Sequence, residues 1–193
     1  MRLFVAIDLD DRARQAIAAE QRRLTSAVDA NRSPMKWVRA EHMHLTLVFL
    51  GEVSEERAAI VAPRLAGDVP QPPFDLVFEG VGVFPPHGGP RALWIGCSDG
   101  AAQVIELQRA IADRVASLDV PLESRPFSPH LTLARWKTSR PSDRARALAA
   151  ARSEPIARVT IDHATLYHSR LSSVGPTYVE LARANLSHRT RAS

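Results

Sequence analysis

The chain has 193 residues, of which 45% are hydrophobic and 24% charged, and its formal net charge is +4. These proportions are typical of a globular protein and exclude a disordered or collagen-like chain, and every apolar run is too short to span a bilayer. One cysteine, Cys97, excludes an internal disulfide framework and a thiolate metal cage, so we expect a cytoplasmic protein with no membrane association. The basic residues are arginine except for Lys36 and Lys137, which fits either phosphate binding or a GC-rich coding bias.

The first half of the chain alternates strand-like and helix-like segments. Short runs of branched and aromatic residues predict strands, whereas apolar residues spaced three and four apart predict helices. Pro63 is expected to kink or shorten the second helix. In chain order we predict a strand over 2–8, a helix from 10 or 11 to about 30, an extended piece over 36–38, a strand over 41–50, a helix over 54–67 and an extended segment over 74–83.

The second half begins after a loop rich in proline and glycine over residues 84–90. Its amphipathic helix has the most regular spacing in the chain, with apolar side chains at positions 104, 107, 111, 115 and 118. In chain order we predict a strand over 91–97, that helix, a strand over 130–134, a short helix over 142–151, and two final strands over about 156–167 and 176–181.

The two halves form a diverged repeat. Each has a strand, an amphipathic helix and a strand that carries His-Leu-Thr-Leu, followed by a further helix and strand. This order predicts an α+β fold of two similar lobes related by a pseudo-twofold axis. We treat residues 1–186 as one bilobal domain and residues 187–193 as a basic C-terminal tail.

The repeated tetrapeptide begins at His44 and again at His130. Residues i and i+2 of a strand share a face, so each strand would present its histidine and threonine to one space and bury its leucines. Two imidazoles facing each other across a cleft could remove one proton and deliver another near neutral pH, and threonine hydroxyls could hold an anion between them. Phosphodiester cleavage fits this arrangement. The alternative is that each His-Thr pair is only the solvated face of an amphipathic strand.

Several blocks around these motifs carry a resemblance to a known family, and it extends from Arg2 to about Leu181. The chain resembles the two-histidine (2H) phosphoesterases and, within them, the RNA 2′,3′-cyclic phosphodiesterases, also called 2′–5′ RNA ligases. The resemblance implies mainly antiparallel sheets that line a central cleft, with helices outside. It rests on RLFVAI at 2–7, KWV at 36–38, HLTLVFLG at 44–51, FSPHLTLAR at 127–135 and SSVGPTYVE at 172–180.

The resemblance also implies an activity without metal or cofactor: a terminal 2′,3′-cyclic phosphate on RNA, or a cyclic nucleotide, is hydrolysed to a 2′-phosphate. It makes His44 the proton donor and His130 the proton acceptor, Thr46 and Thr132 phosphate binders, and Arg135 a contact to the cyclic phosphate. Strand alternation places Arg135 on the face opposite His130, so this role requires a bulge, a twist or a strand end there. Otherwise Arg135 is a surface arginine.

Other functions remain open at this point. The same site could join RNA ends through a 2′–5′ linkage, or the protein could be a noncatalytic RNA-end-binding module, although binding alone does not need a titrating pair. His42 lies two residues before His44 and could form a three-histidine metal site with His130. The resemblance indicates no metal and no obligate protein partner, so we expect a monomer.

Overall fold

The computed structural model describes residues 1–28, 33–118, 120, 125–172 and 175–188. Nine strands and four helices occur in these residues. They are β1 (Arg2–Ile7), α1 (Asp11–Val28), β2 (Met35–Trp37), β3 (Leu45–Glu52), α2 (Glu55–Leu65), β4 (Phe74–Phe84), β5 (Ala92–Cys97), α3 (Ala101–Val115), β6 (His130–Trp136), α4 (Pro141–Ala149), β7 (Ala157–Ile161), β8 (His163–Ser172) and β9 (Gly175–Asn185).

The strands form two antiparallel sheets, in the orders β3-β1-β8-β9 and β2-β6-β5-β4-β7. Each sheet contains one motif strand, β3 or β6, paired with the strand that opens the same half of the chain. Four other strands cross over between the halves: β8 and β9 from the second half extend the first sheet, and β2 and β4 from the first half join the second. Each sheet thus contains strands from both halves of the sequence. The two halves also meet within the second sheet, since β4 leads into β5 through a hairpin connection and pairs with it.

Helices cover one face of each sheet and bury the core. α2 and α3 pack on the first sheet through β9 and β3, whereas α1 and α4 pack on the second through β7 and β4. The apolar stripe predicted for α3 is fully buried at Val104, Leu107, Ile111 and Val115. Burial of each such side chain contributes about 1.5–3 kcal/mol to folding. The predicted α+β class, with antiparallel sheets and helices packed against them, is confirmed.

The structure corrects three predicted strands. The segment over 156–167 is two strands, β7 and β8, which are separated at Asp162 and belong to different sheets. The last strand is longer than predicted, since β9 pairs with β8 along its whole length. The first motif strand begins at Leu45 rather than at residue 41, because Ala40–His42 forms a 3₁₀ turn.

Helix ends and the chain terminus complete the comparison. α2 ends at Leu65, two residues after Pro63, so the proline occupies the last turn. The predicted end of the first helix near residue 30 lies outside the described residues, as do positions 189–193 of the predicted tail. Ser187 is joined to the fold, because its backbone N–H donates to the carbonyl of Val69 over 3.0 Å. Among the helices in the described part of the chain, none is both long and apolar enough to cross a membrane.

Candidate active site

The two motif strands lie against each other at the junction of the sheets. His44 immediately precedes β3, and His130 is the first residue of β6. In both motifs the leucines are buried, while the histidine and threonine are half-buried. The two strands thus turn their His-Thr faces away from the apolar core.

Both imidazoles are held in the same way. The Nδ1 atom of His44 lies 2.8 Å from the carbonyl oxygen of His42, and Nδ1 of His130 lies 2.7 Å from the carbonyl oxygen of Ser128. Since a carbonyl oxygen only accepts, each Nδ1 carries the hydrogen and donates it. Nε2 is then the nitrogen that can take up or release a proton in each ring.

Aromatic side chains surround the two rings. Phe4 stacks on His44 with 4.8 Å between ring centroids, and Tyr178 meets the same ring edge-on at 5.3 Å. On the other side, Phe84 and Trp94 contact His130 edge-on at 5.0 and 6.0 Å. These contacts shield the imidazoles from water without hydrogen-bonding to them.

The electrostatic surroundings of the two histidines differ. Burial lowers the pKa of His44, while the bond to the His42 carbonyl and the charge of Asp8 oppose that shift. Burial also lowers the pKa of His130, and there the positive charge of Arg135 adds to the shift. The two nearby charges therefore act in opposite directions, one favouring protonation of His44 and the other favouring neutral His130.

A β-bulge places Arg135 on the side of His130. In the pairing of β5 with β6, Leu93 lies opposite Ala134 and Trp94 lies opposite Thr132, so Leu133 is an extra residue. Leu133 and Ala134 are consecutive buried residues, and the alternation restarts with exposed Arg135. The bulge thus removes the conflict with strand alternation that the sequence raised.

The first motif has the same bulge but a different side chain after it. Val5 lies opposite Val48 and Ala6 opposite Thr46, which leaves Leu47 as the extra residue. Phe49 then occupies the position that corresponds to Arg135. It is 43% exposed, and the guanidinium carbon of Arg2 lies 5.1 Å from the centre of its ring.

A cavity of about 760 Å³ opens beside the second motif. His130, Thr132 and Arg135 line it, whereas His44 and Thr46 do not. The first motif reaches the cavity further along β3, through residues that include Phe49. The volume of the cavity suits a nucleotide-sized ligand. Aromatic and cationic side chains complete the lining, among them Phe84, Phe127, Arg91 and Arg125.

The alternative three-histidine metal site is not assembled. Across the described residues, which include all three of these histidines, there is no group of three or more His, Cys, Asp or Glu side chains that could hold a metal ion. The ring of His42 instead meets Tyr178 edge-on at 5.2 Å.

Three aromatic neighbours of the histidines were not predicted from the sequence. The sequence motifs did not assign Trp94, Phe4 or Tyr178 to the site. Phe4 and Tyr178 reach His44 from β1 and β9, which are remote along the chain, so no local pattern indicates the contact. Both nevertheless lie within blocks that carry the family resemblance.

Comparison with known proteins agrees with this architecture. The family model described as the 2′-5′ RNA ligase superfamily matches residues 9–172. An RNA 2′,3′-cyclic phosphodiesterase of Archaeoglobus fulgidus is 35% identical over 183 residues, which cover 94% of this chain and 98% of that protein.

Solved structures show the same likeness. A protein of Thermus thermophilus is 30% identical with a TM-score of 0.75, covering 97% of this chain and 99% of its own. Escherichia coli LigT in complex with 3′-AMP is 28% identical with a TM-score of 0.73, covering 97% of this chain and 98% of its own. The resemblance that the duplicated motif indicated is confirmed: the chain belongs to the 2′-5′ RNA ligase superfamily.

Proposed function

We propose that the protein is a metal-independent RNA 2′,3′-cyclic phosphodiesterase that converts a terminal 2′,3′-cyclic phosphate into a 2′-phosphate. The observation that carries this proposal is the pair of half-buried imidazoles on adjacent motif strands, each with Nδ1 donating to a carbonyl and Nε2 left for proton transfer. A binding module would need cations but not two rings fixed in this way. The Archaeoglobus fulgidus relative, which aligns with nearly the full length of the chain, is named an RNA 2′,3′-cyclic phosphodiesterase, and this supports the same activity.

In the proposed reaction, His130 removes a proton from water as the water oxygen attacks phosphorus. The bond between phosphorus and the 3′ oxygen breaks, and His44 delivers its proton to that oxygen. In-line attack requires the base and the acid on opposite sides of phosphorus, which suits two histidines from different sheets. Each turnover leaves His44 neutral and His130 protonated, and proton exchange with solvent restores the starting state.

The remaining polar residues of the motifs would hold the anion. Thr46 and Thr132 lie two residues after the histidines and offer hydroxyl donors. Arg135 reaches the cavity beside His130 and would stabilise the charge on phosphorus as water attacks. Its planar guanidinium can donate two parallel hydrogen bonds to phosphate oxygens.

The same site would lower the barrier to the reverse reaction, ligation of RNA ends through a 2′–5′ bond. The description of the matching family makes this the second candidate activity. Hydrolysis is the primary proposal because water competes at about 55 M unless two bound RNA ends reach a high effective concentration.

The proposal extends to the setting of the protein. We propose that residues 1–186 form one domain and that the protein is a monomer. It would act in the cytoplasm on RNA with a cyclic phosphate end or on cyclic nucleotides. Burial raises the pKa of the Cys97 thiol to about 12, so this residue stays protonated and unreactive.

The test is incubation with 2′,3′-cyclic mononucleotides and a cyclic-phosphate-ended oligonucleotide in excess EDTA. Products are compared with authentic 2′- and 3′-monophosphates by chromatography or phosphorus NMR. We expect turnover to the 2′-phosphate. Binding without turnover would indicate an RNA-end-binding module, a mainly 3′-phosphate product would reverse the seating of the ribose, and inhibition by EDTA that added metal reverses would contradict the metal-free mechanism.

A further inference from the structure

Asp8 lies at the end of β1, beside the first motif. In the pairing of β1 with β3, Ala6 lies opposite Thr46 and Ile7 opposite Leu45. Continuing this register by one residue places Asp8 opposite His44. Directly opposed residues of antiparallel strands are close enough for their side chains to interact.

The Asp8 carboxylate is held from its other side by β8. The hydroxyl of Thr165 donates to Oδ2 over 2.8 Å, and the hydroxyl of Tyr167 donates to Oδ1 over 2.9 Å. Thr165 is fully buried, and burial together with Asp8 raises the pKa of Tyr167, so the phenol remains a donor. Two hydroxyl donors, one to each oxygen, limit the movement of the Asp8 carboxylate and fix its orientation.

The second motif has no such carboxylate at the corresponding position. Gly96 pairs with His130 in β5, where Asp8 is the expected counterpart in the first motif. The charge near His130 is instead that of Arg135. The duplicated frame therefore carries an anion beside one histidine and a cation beside the other.

We propose that Asp8 is a positioning residue whose carboxylate, oriented by Thr165 and Tyr167, keeps the proton on His44 and so assigns His44 the role of acid. The acid role of His44 in this inference rests on the proposed phosphodiesterase activity. Its electrostatic part, the coupling of Asp8 to His44, exists in the ligand-free protein and can be measured without turnover.

Other charged groups face the same region and must be followed in the test. Nε2 of His163 lies 3.8 Å from Oδ2 of Asp8, and Nδ1 of His163 contacts the exposed carboxylate of Asp162. Arg183 and Glu180 on β9 pair with each other over 3.0 Å. The positive charge of His42, when present, opposes the protonation of His44.

The decisive variant is Asp8→Asn, which keeps the shape of the side chain and removes its charge. The titration of the histidines is followed through the NMR signals of their ring protons in the ligand-free protein, and kcat/KM is measured as a function of pH. We expect the pKa of His44 to fall while that of His130 stays unchanged, because the charge of Asp8 favours protonated His44. A fall of about 0.5–1 unit would lower kcat/KM on the alkaline side about three- to tenfold. Asp8→Glu should restore much of both.

Asp162→Asn is the matched control, because it removes a carboxylate that contacts His163 at an exposed position. It should leave the titration of His44 and kcat/KM unchanged. An unchanged His44 titration in Asp8→Asn would overturn the inference even if the protein is an active phosphodiesterase. An altered titration without turnover in any variant would keep the coupling and contradict the proposed function instead.

If Asp8→Asn does not fold, the wild-type protein provides the second test. The carboxyl carbon of Asp8 should show a chemical-shift step at the pH where His44 titrates, separate from any step due to His163. This step should disappear in His44→Ala. A titration curve of Asp8 without it would contradict the coupling.

Discussion

The His44 region and the His130 region share a backbone frame and differ in charge. Both rings donate from Nδ1 to the carbonyl two residues earlier, and both motif strands bulge after the threonine. Phe49 follows the first bulge, whereas Arg135 follows the second. The comparison indicates that the repeat supplies two equivalent imidazoles with different nearby charges, and in the proposed mechanism these charges would give the two rings opposite roles.

The largest expected effect is the loss of either ring. His44→Ala and His130→Ala should each reduce kcat/KM by about 10²–10⁴-fold, because each removes one proton-transfer partner. The free energy of unfolding should change by only about 1 kcal/mol, since both rings are half-buried outside the apolar core. Steady-state kinetics and thermal unfolding check the two expectations.

His87→Ala is the matched control for these variants. His87 is exposed in the loop after β4 and does not line the cavity, so its removal should leave the rate unchanged. A near-normal rate in either motif variant would exclude that histidine from the mechanism. A large drop in melting temperature would show that the ring is instead part of the structural core.

A smaller effect tests the difference between Arg135 and Phe49. Arg135→Ala should lower kcat/KM by about 10- to 100-fold, since hydrogen bonds to charged groups contribute about 1.5–3 kcal/mol. Phe49→Ala should cost less than about fivefold, because an exposed ring loses only part of its apolar contact. Arg135→Lys should recover the charge but not the paired hydrogen bonds. Equal losses of kcat/KM in the Arg135→Ala and Phe49→Ala variants would contradict the difference in role between these two positions.

The pH dependence of kcat/KM should reflect both histidines. Burial lowers both pKa values, so each ring loses its proton below the ordinary value of about 6.5. A reaction that needs one neutral and one protonated ring then has a bell-shaped profile whose maximum lies on the acid side of pH 6.5. A maximum above about pH 7.5 would indicate other titrating groups.

The smallest effect is expected at Cys97, which adjoins Gly96 on the His130 side. Its thiol is protonated at neutral pH, so Cys97→Ala and treatment with iodoacetamide should leave kcat/KM within about twofold. Inactivation of the wild type but not of Cys97→Ala would show that the Cys97 thiol is reactive and would contradict this expectation.

The sequence predicted the features that depend on local periodicity. The alternation of His44 and Thr46 with buried leucines and the apolar stripe of α3 follow directly from the spacing of residues. The bulge at Leu133 could not be predicted, because it arises from pairing with β5, and two adjacent apolar residues do not specify it. The hydroxyl donors to Asp8 come from β8 and lie 157 and 159 residues away along the chain. Such contacts can be predicted only when the order of strands in each sheet is known, and the order of helices and strands along the chain does not specify it.

The most direct test of the account is the pH dependence of the residual activity in His44→Ala and His130→Ala. A variant that retains only the base should become faster as pH rises and lose the alkaline fall, whereas one that retains only the acid should become slower as pH rises and lose the acid limb. We predict the first behaviour for His44→Ala and the second for His130→Ala. The opposite pair of profiles would contradict the assignment of acid and base.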